Sequence, residues 1–179
     1  QGTRELRIWS AGCASGEEPY SIAIVLYRLL QARFQDWQIR IFATDINKGN
    51  LDLARAGLYD AERLNEVKLS ILNHHFERVG EQYKLKRNIK KMVVFSKEDL
   101  AEKHLNVPAE SVFGGFDLIF CRNVMIYFTS EDRRKIYANI SKVLEPDGYL
   151  LIGSTESLVN DTDLFSPKKY LNSVFYQFK

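Results

Sequence analysis

The stretch "SAGCASGEEPYS", Ser10–Ser21, follows the apolar run "LRIW" and holds two glycines, two acids and one proline. A glycine-rich turn between a strand and a helix often cradles phosphate, because the N–H groups at the helix start point outward and attract anions. Carboxylates in that place repel phosphate, so Glu17 and Glu18 argue against a polyphosphate ligand. Neither GxxxxGK[ST] nor GxGxxG occurs in the turn. Two readings stay open from this stretch alone. The glycines can mark a tight turn whose acids complement the helix dipole, or the loop can receive a ligand with an ammonium or sulfonium charge.

Outward from it, strand and helix patterns alternate. "ELRIWSA" predicts a buried strand, and "EEPYSIAIVLYRLLQARF" a helix with Ile22, Val25, Leu26, Leu29 and Leu30 at helical spacing and Pro19 in its first turn. "WQIRIFATDI" is a second strand stopping at Asp45, and "NKGNLDLARAGLY" a second helix capped by Asn47. "AERLNEVKLSILNHHF" also has helical character. "ERVGEQYKLKRNIKKMVVF" alternates around Gly80 and Asn88, which predicts antiparallel strands, with "MVVFS" returning to the main sheet. "FDLIFCRNVMIYF" is a strand that breaks at Cys121, Arg122 and Asn123. "SEDRRKIYANISKVL" is a helix capped by Ser130 and closed by "EPDG"; "YLLIGSTE" and "SVFYQF" are further strands. This order predicts a three-layer α/β fold on a mostly parallel sheet. Such sheets bind ligands beyond the carboxyl ends of their strands, which here are "AGCASGEE", "ATD", "KEDL", "CRN" and "GSTES".

Bulk composition narrows the classes. The chain has 179 residues, enough for one domain with a small insertion, and is 45% hydrophobic and 27% charged. A net charge of +2 is too small for a nucleic-acid binder. The basic residues gather locally, as Lys84, Lys86, Arg87, Lys90 and Lys91. Cys13 and Cys121 are the only cysteines and lie in no zinc-type spacing, so neither a disulfide framework nor a metal is expected. No run reaches the length of a membrane helix, and the first residues lack signal-peptide character. A cytoplasmic protein, monomeric by default, is expected.

The strand ends suggest one composite ligand. An acid closing the second strand, Asp45, suits the two hydroxyls of a ribose, or is a surface carboxylate in a helix-capping turn. Asp99 can accept from the exocyclic amine of an adenine while the Leu100 amide serves a ring nitrogen; Asp99 can equally cap a following helix. An adenosine carrying an amino acid and a positive charge in place of phosphates is S-adenosylmethionine. Cys121 ends an apolar strand with no histidine near it in sequence, which argues against a covalent nucleophile.

"RIWSAGCASGEEPYSIAI", "FATDIN…LDLARAGLY", "FDLIFCRNVMIYF" and "DGYLLIGSTESL" together resemble the chemotaxis receptor methyltransferases, the CheR family, from about Arg7 to Phe178. The resemblance implies a class I S-adenosylmethionine-dependent methyltransferase fold, Rossmann-like, over residues 1–179, with an inserted β-subdomain at residues 75–95. It implies methyl-ester formation on glutamate side chains of chemoreceptor cytoplasmic helices, with the β-subdomain contacting the receptor. It carries over Glu18 to the methionine end of the cofactor, Asp45 to the ribose, Asp99 and Leu100 to the adenine, Arg122 and Asn123 to the cofactor pocket, and Tyr127 to the methyl group. Family members often have asparagine at the position of Asp99; aspartate keeps the acceptor. The family's helical N-terminal domain is not found before the first strand here, so weak cofactor binding or poor transfer is expected of the chain alone.

A glutamate nucleophile, with an ordinary pKa of about 4.3, is ionised at neutral pH and needs no general base. Arg122 could fork onto that carboxylate, or pair with a neighbouring acid. Tyr127 could present its hydroxyl or its ring edge, or merely pack. A cofactor-binding regulatory or docking module without transfer activity is the alternative; a nicotinamide oxidoreductase is disfavoured by Glu17, Glu18 and the missing GxGxxG.

Overall fold

In the first strand, β1 (Arg4–Ala11), five successive residues from Arg7 to Ala11 are buried. A strand buried on both faces belongs to a parallel sheet covered on both sides. The computed structural model describes residues 4–102, 115–171 and 173–179 of the chain.

The remaining elements follow as α1 (Glu17–Leu30), β2 (Trp37–Asp45), α2 (Lys48–Ala56), β3 (Leu58–Asp60), α3 (Leu69–His75), β4 (Phe76–Val79), β5 (Gln82–Leu85), α4 (Arg87–Lys90) and β6 (Val93–Lys97). Then come β7 (Phe116–Cys121), α5 (Ser130–Val143), β8 (Leu144–Ile152), β9 (Phe165–Tyr170) and β10 (Ser173–Phe178). A seven-stranded sheet runs β6-β2-β1-β7-β8-β10-β9. Its strands from β6 to β8 are parallel, and β10 is antiparallel to both β8 and β9. The order reverses at β1, between β2 and β7, and that switch point opens the crevice beyond the strand ends. Three-layer α/β architecture is thus observed. Ile8, Ile41 and Ala43 face one core with Tyr20, Ala23 and Ile24 of α1, while Trp9, Phe42 and Ile119 face the other with Ile136, Tyr137 and Ile140 of α5.

Several local expectations shift. α1 buries Pro19, Tyr20, Ala23 and Ile24, whereas Val25 and Leu29 are exposed. The helix is apolar around much of its girth, so spacing alone does not choose a face; small Ala23 lets the backbone close onto the sheet. α5 is capped by Thr129, whose Oγ1 accepts from Asp132 N–H at 3.2 Å, one residue before the expected Ser130. "EPDG" is an excursion within β8: Phe116 pairs with Leu144, but Leu118 pairs with Tyr149. "AERLNEVKLSILNHHF" splits into a 3-10 turn at Ala61–Leu64 and α3. The small antiparallel sheet, β3-β5-β4, recruits β3 from outside residues 75–95, and β6 already belongs to the main sheet. Strand β9 has no counterpart in the expected pattern. No helix among the described residues is long and apolar enough to cross a membrane.

His75 ends α3 and anchors the small sheet against α1. Only 5% exposed, it meets Tyr27 edge-on at 5.9 Å between ring centroids, and its Nδ1 is buried without a partner. Burial, then the charges of Arg28, His74 and Lys86, hold its pKa below the ordinary 6.5. The unfolded chain therefore takes up this proton at higher pH than the folded one. The contribution of neutral His75 is present above about pH 6.5 and is lost as pH falls below it. Thermal unfolding followed from about pH 7.5 to about pH 5.5 should show a falling midpoint that His75→Phe partly flattens; an equal fall in both proteins would assign the effect to other groups.

Candidate functional site

Beyond β1, β2, β6 and β7 lies a cleft of about 650 Å³, and residues from all four strand ends line it. The first loop is drawn over the end of β2 by backbone bonds: the Thr44 carbonyl accepts from the N–H groups of Gly12 at 2.8 Å and Cys13 at 2.9 Å. Gly12 has φ 74°, and a Cβ there would lie 2.5 Å from Val124 Cγ2. Glycine is needed at this point because the loop and the turn after β7 approach so closely.

Asp45 organises the same region. Its Oδ2 accepts from Ala14 N–H and its Oδ1 from Asn47 N–H, both at 2.8 Å. A carboxylate has about four lone-pair directions, so two acceptor sites remain for ligand hydroxyls. Asp99 and Leu100, after β6, also line the cleft. Asp99 Oδ1 accepts from Ala101 N–H at 2.9 Å, so one oxygen has the capping role open to it from sequence. The helix expected beyond it falls mainly outside the described residues.

Arg122, Asn123 and Tyr127 line the cleft from the β7 side. Tyr127 closes a one-turn 3-10 helix, Met125–Tyr127, and is 80% exposed at the mouth. Asn123 holds the left-handed conformation, φ 58°, which asparagine tolerates better than most residues.

The two acids of the opening stretch part company. Glu17 pairs with Arg63 at 2.6 Å and accepts from Ser15 Oγ, away from the cleft lining. Glu18 accepts from buried Ser10 Oγ at 2.7 Å and from Arg122 at 3.2 Å. Glu18 is not among the residues that line the cleft, and it touches the cleft wall through Arg122, which does line it. Both acids have arginine partners, so the acidic loop by itself is no signature of a cationic ligand. Arg122 in turn has the acidic neighbour that was one of its two readings.

One residue was missed. Glu156 accepts from Gly153 N–H at 2.6 Å, Asn123 N–H at 2.8 Å and Met125 N–H at 3.1 Å, tying the turn after β7 to the turn after β8. From sequence, "GSTES" reads as a strand end in which no side chain stands out. An acid three residues beyond a strand-ending glycine was the available signal.

Burial, followed by the Asp45 charge, pushes the Cys13 thiol up to about 12. Burial and the Glu156 and Glu18 charges also raise Cys121. Both are protonated near neutrality, consistent with rejecting thiolate chemistry.

Acceptors from separate strands and an amide beside Asp99 suit a nucleoside with free ribose hydroxyls. Asp45→Asn removes the charge and one acceptor; in calorimetry it should weaken S-adenosylhomocysteine binding about tenfold or more, as for a hydrogen bond to a charged group. Unchanged affinity would remove Asp45 from ribose binding.

Residues 1–173 match the family model "CheR methyltransferase, SAM binding domain". Chemotaxis protein methyltransferase 1 of Vibrio cholerae is 37% identical over 179 residues, covering 98% of this chain and 63% of its own. The chemotaxis protein methyltransferase of Salmonella typhimurium is 38% identical over 166 residues, covering 90% of this chain and 55% of its own. The chain thus spans less than two thirds of either relative. Among solved structures, the glycopeptide N-methyltransferase MtfA aligns with a TM-score of 0.50 at 14% identity, over 82% of this chain and 45% of that one, a likeness of fold alone. With the strand order, the cleft and these matches in agreement, the chain belongs to the CheR methyltransferase family as its S-adenosylmethionine-binding domain.

Proposed function

We propose that the protein is a cytoplasmic S-adenosylmethionine-dependent O-methyltransferase that forms methyl esters on glutamate side chains of chemoreceptors. The supporting observation is the meeting of Asp45, Asp99, Leu100 and Tyr127 in one cleft of a chain of this family. S-Adenosylmethionine supplies a methyl carbon made electrophilic by its sulfonium.

The residues then divide the work. Asp45 takes the ribose hydroxyls on its two remaining acceptor sites. Asp99 accepts from the adenine amine, and Leu100 N–H donates to a ring nitrogen. Glu18 meets the α-ammonium of the methionine end by exchanging its 3.2 Å contact with Arg122, which is half-exposed and therefore cheap to open. Arg122, so released, forks onto the carboxylate of the incoming glutamate, and Asn123 completes the pocket wall. No residue acts as general base, because the acceptor is already ionised. Holding the reacting atoms about 3–3.5 Å apart and in line, with water removed, supplies the acceleration. Tyr127, at the cleft mouth, contacts the methyl group or the acceptor.

The small sheet β3-β5-β4 is the receptor-docking element in this reading. Its basic run is partly committed: Lys86 Nζ donates to the His74 carbonyl at 2.9 Å, and Lys90 Nζ to the Ala56 carbonyl at 2.8 Å. Lys84, Arg87 and Lys91, all exposed, are the better candidates for meeting an acidic receptor segment.

Transfer of labelled methyl groups from S-adenosylmethionine to a receptor cytoplasmic fragment tests the proposal. Label that mild alkali releases as methanol is expected; no label, or alkali-stable label, contradicts ester formation. Tyr127→Phe should slow transfer about tenfold or more while S-adenosylhomocysteine affinity stays within about twofold. Unchanged turnover would remove the Tyr127 hydroxyl from the mechanism.

A further inference from the structure

Beyond the ends of β7 and β8 the backbone leaves the ladder, and its N–H groups need other acceptors. One carboxylate meets three of them. Glu156 Oε2 accepts from Gly153 and Asn123, and Oε1 from Met125. Glu156 N–H also closes its own turn onto the Gly153 carbonyl at 3.0 Å. The fit is tight: a Cβ on Gly153 would lie 2.7 Å from Glu156 Oε2.

The gripped amides bracket the reacting end of the cleft. Asn123 follows Arg122, whose side chain bonds Glu18, and sits in the left-handed conformation that turns the chain. Met125 opens the 3-10 turn that ends in Tyr127. We infer that Glu156 is a positioning residue for methyl transfer, fixing through the Asn123 and Met125 N–H groups the turn that carries Arg122 and Tyr127, while the Gly153 N–H anchors it to the end of β8. This rests on the proposed roles of those two side chains. The adenosine-binding residues hang from other strands: Asp45 is tied to Ala14 and Asn47, and Asp99 to Ala101, with no bond to Glu156. Asn123 is the one residue among the three gripped amides that also lines the cleft, so loss of the clamp should lower turnover far more than cofactor affinity.

The test compares the parent protein with Glu156→Gln and Gly153→Ala. Glutamine keeps one carbonyl acceptor and sets an NH₂ donor against N–H donors; the alanine methyl displaces Oε2. In both, kcat for transfer to a receptor fragment should fall about 10²-fold, the cost of a misplacement near 1 Å. The S-adenosylhomocysteine Kd should stay within about threefold, and any fall in the thermal midpoint should leave both variants folded at the assay temperature. A parent without transfer activity would refute the proposed function itself. With an active parent, normal kcat in either folded variant overturns the inference. Parallel loss of kcat, affinity and thermal midpoint overturns it too, by making Glu156 a strut of the fold. Should the glutamine variant fail to fold, Gly153→Ala carries the same comparison.

Discussion

Where strands of a parallel sheet end, their N–H groups lose the neighbours that satisfied them, and those same ends must form the binding cleft. In this protein carboxylates resolve that constraint. Asp45 holds the loop after β1 to its own turn, Asp99 holds the turn after β6, and Glu156 holds the turns after β7 and β8 together. Charge-assisted bonds to backbone N–H are short and stronger than neutral ones. The floor of the cleft is thereby set before any ligand enters, and Asp45 and Asp99 combine the structural task with a place on its wall.

The electrostatics of the opening loop follow from partners supplied by distant sequence. Glu17 and Glu18 stand next to each other at the start of α1, yet one turns to Arg63 and the other to Arg122. Each acid is balanced by an arginine, so the two pairs add little net charge to the helix start. In the proposed function, the preference for a ligand bearing positive charge rests on Glu18 exchanging Arg122 for that ligand's cation.

Much of this was legible in the sequence where burial is continuous or a residue's role is local. The runs through Ile8 and Ile41 are apolar on both faces and name parallel strands, and Asp45 and Asn47 sit at a strand end and a helix start by pattern alone. Strand β9 escaped because it contains Pro167, Lys168 and Lys169 and lies at the sheet edge. Those residues blunt an edge against unwanted pairing and erase the strand signature together. Strand β3 is three residues long and exists through its pairing with β5. The buried face of α1 depends on which side chains the sheet can accept. Glu156 was hidden because its partners are backbone amides brought together only when β7 and β8 pair, and the arginine partners of Glu17 and Glu18 lie 46 and 104 residues away.

In the proposed function, strand-end carboxylates build a nucleoside cleft across the switch point. Following backbone amide resonances during titration with S-adenosylhomocysteine tests it most directly. Saturable shifts are expected at Gly12, Asp45, Leu100 and Asn123, sharing one dissociation constant, with β9 and β10 unmoved. Shifts confined to β9 and β10, or none at the four strand ends despite measurable binding, would contradict it.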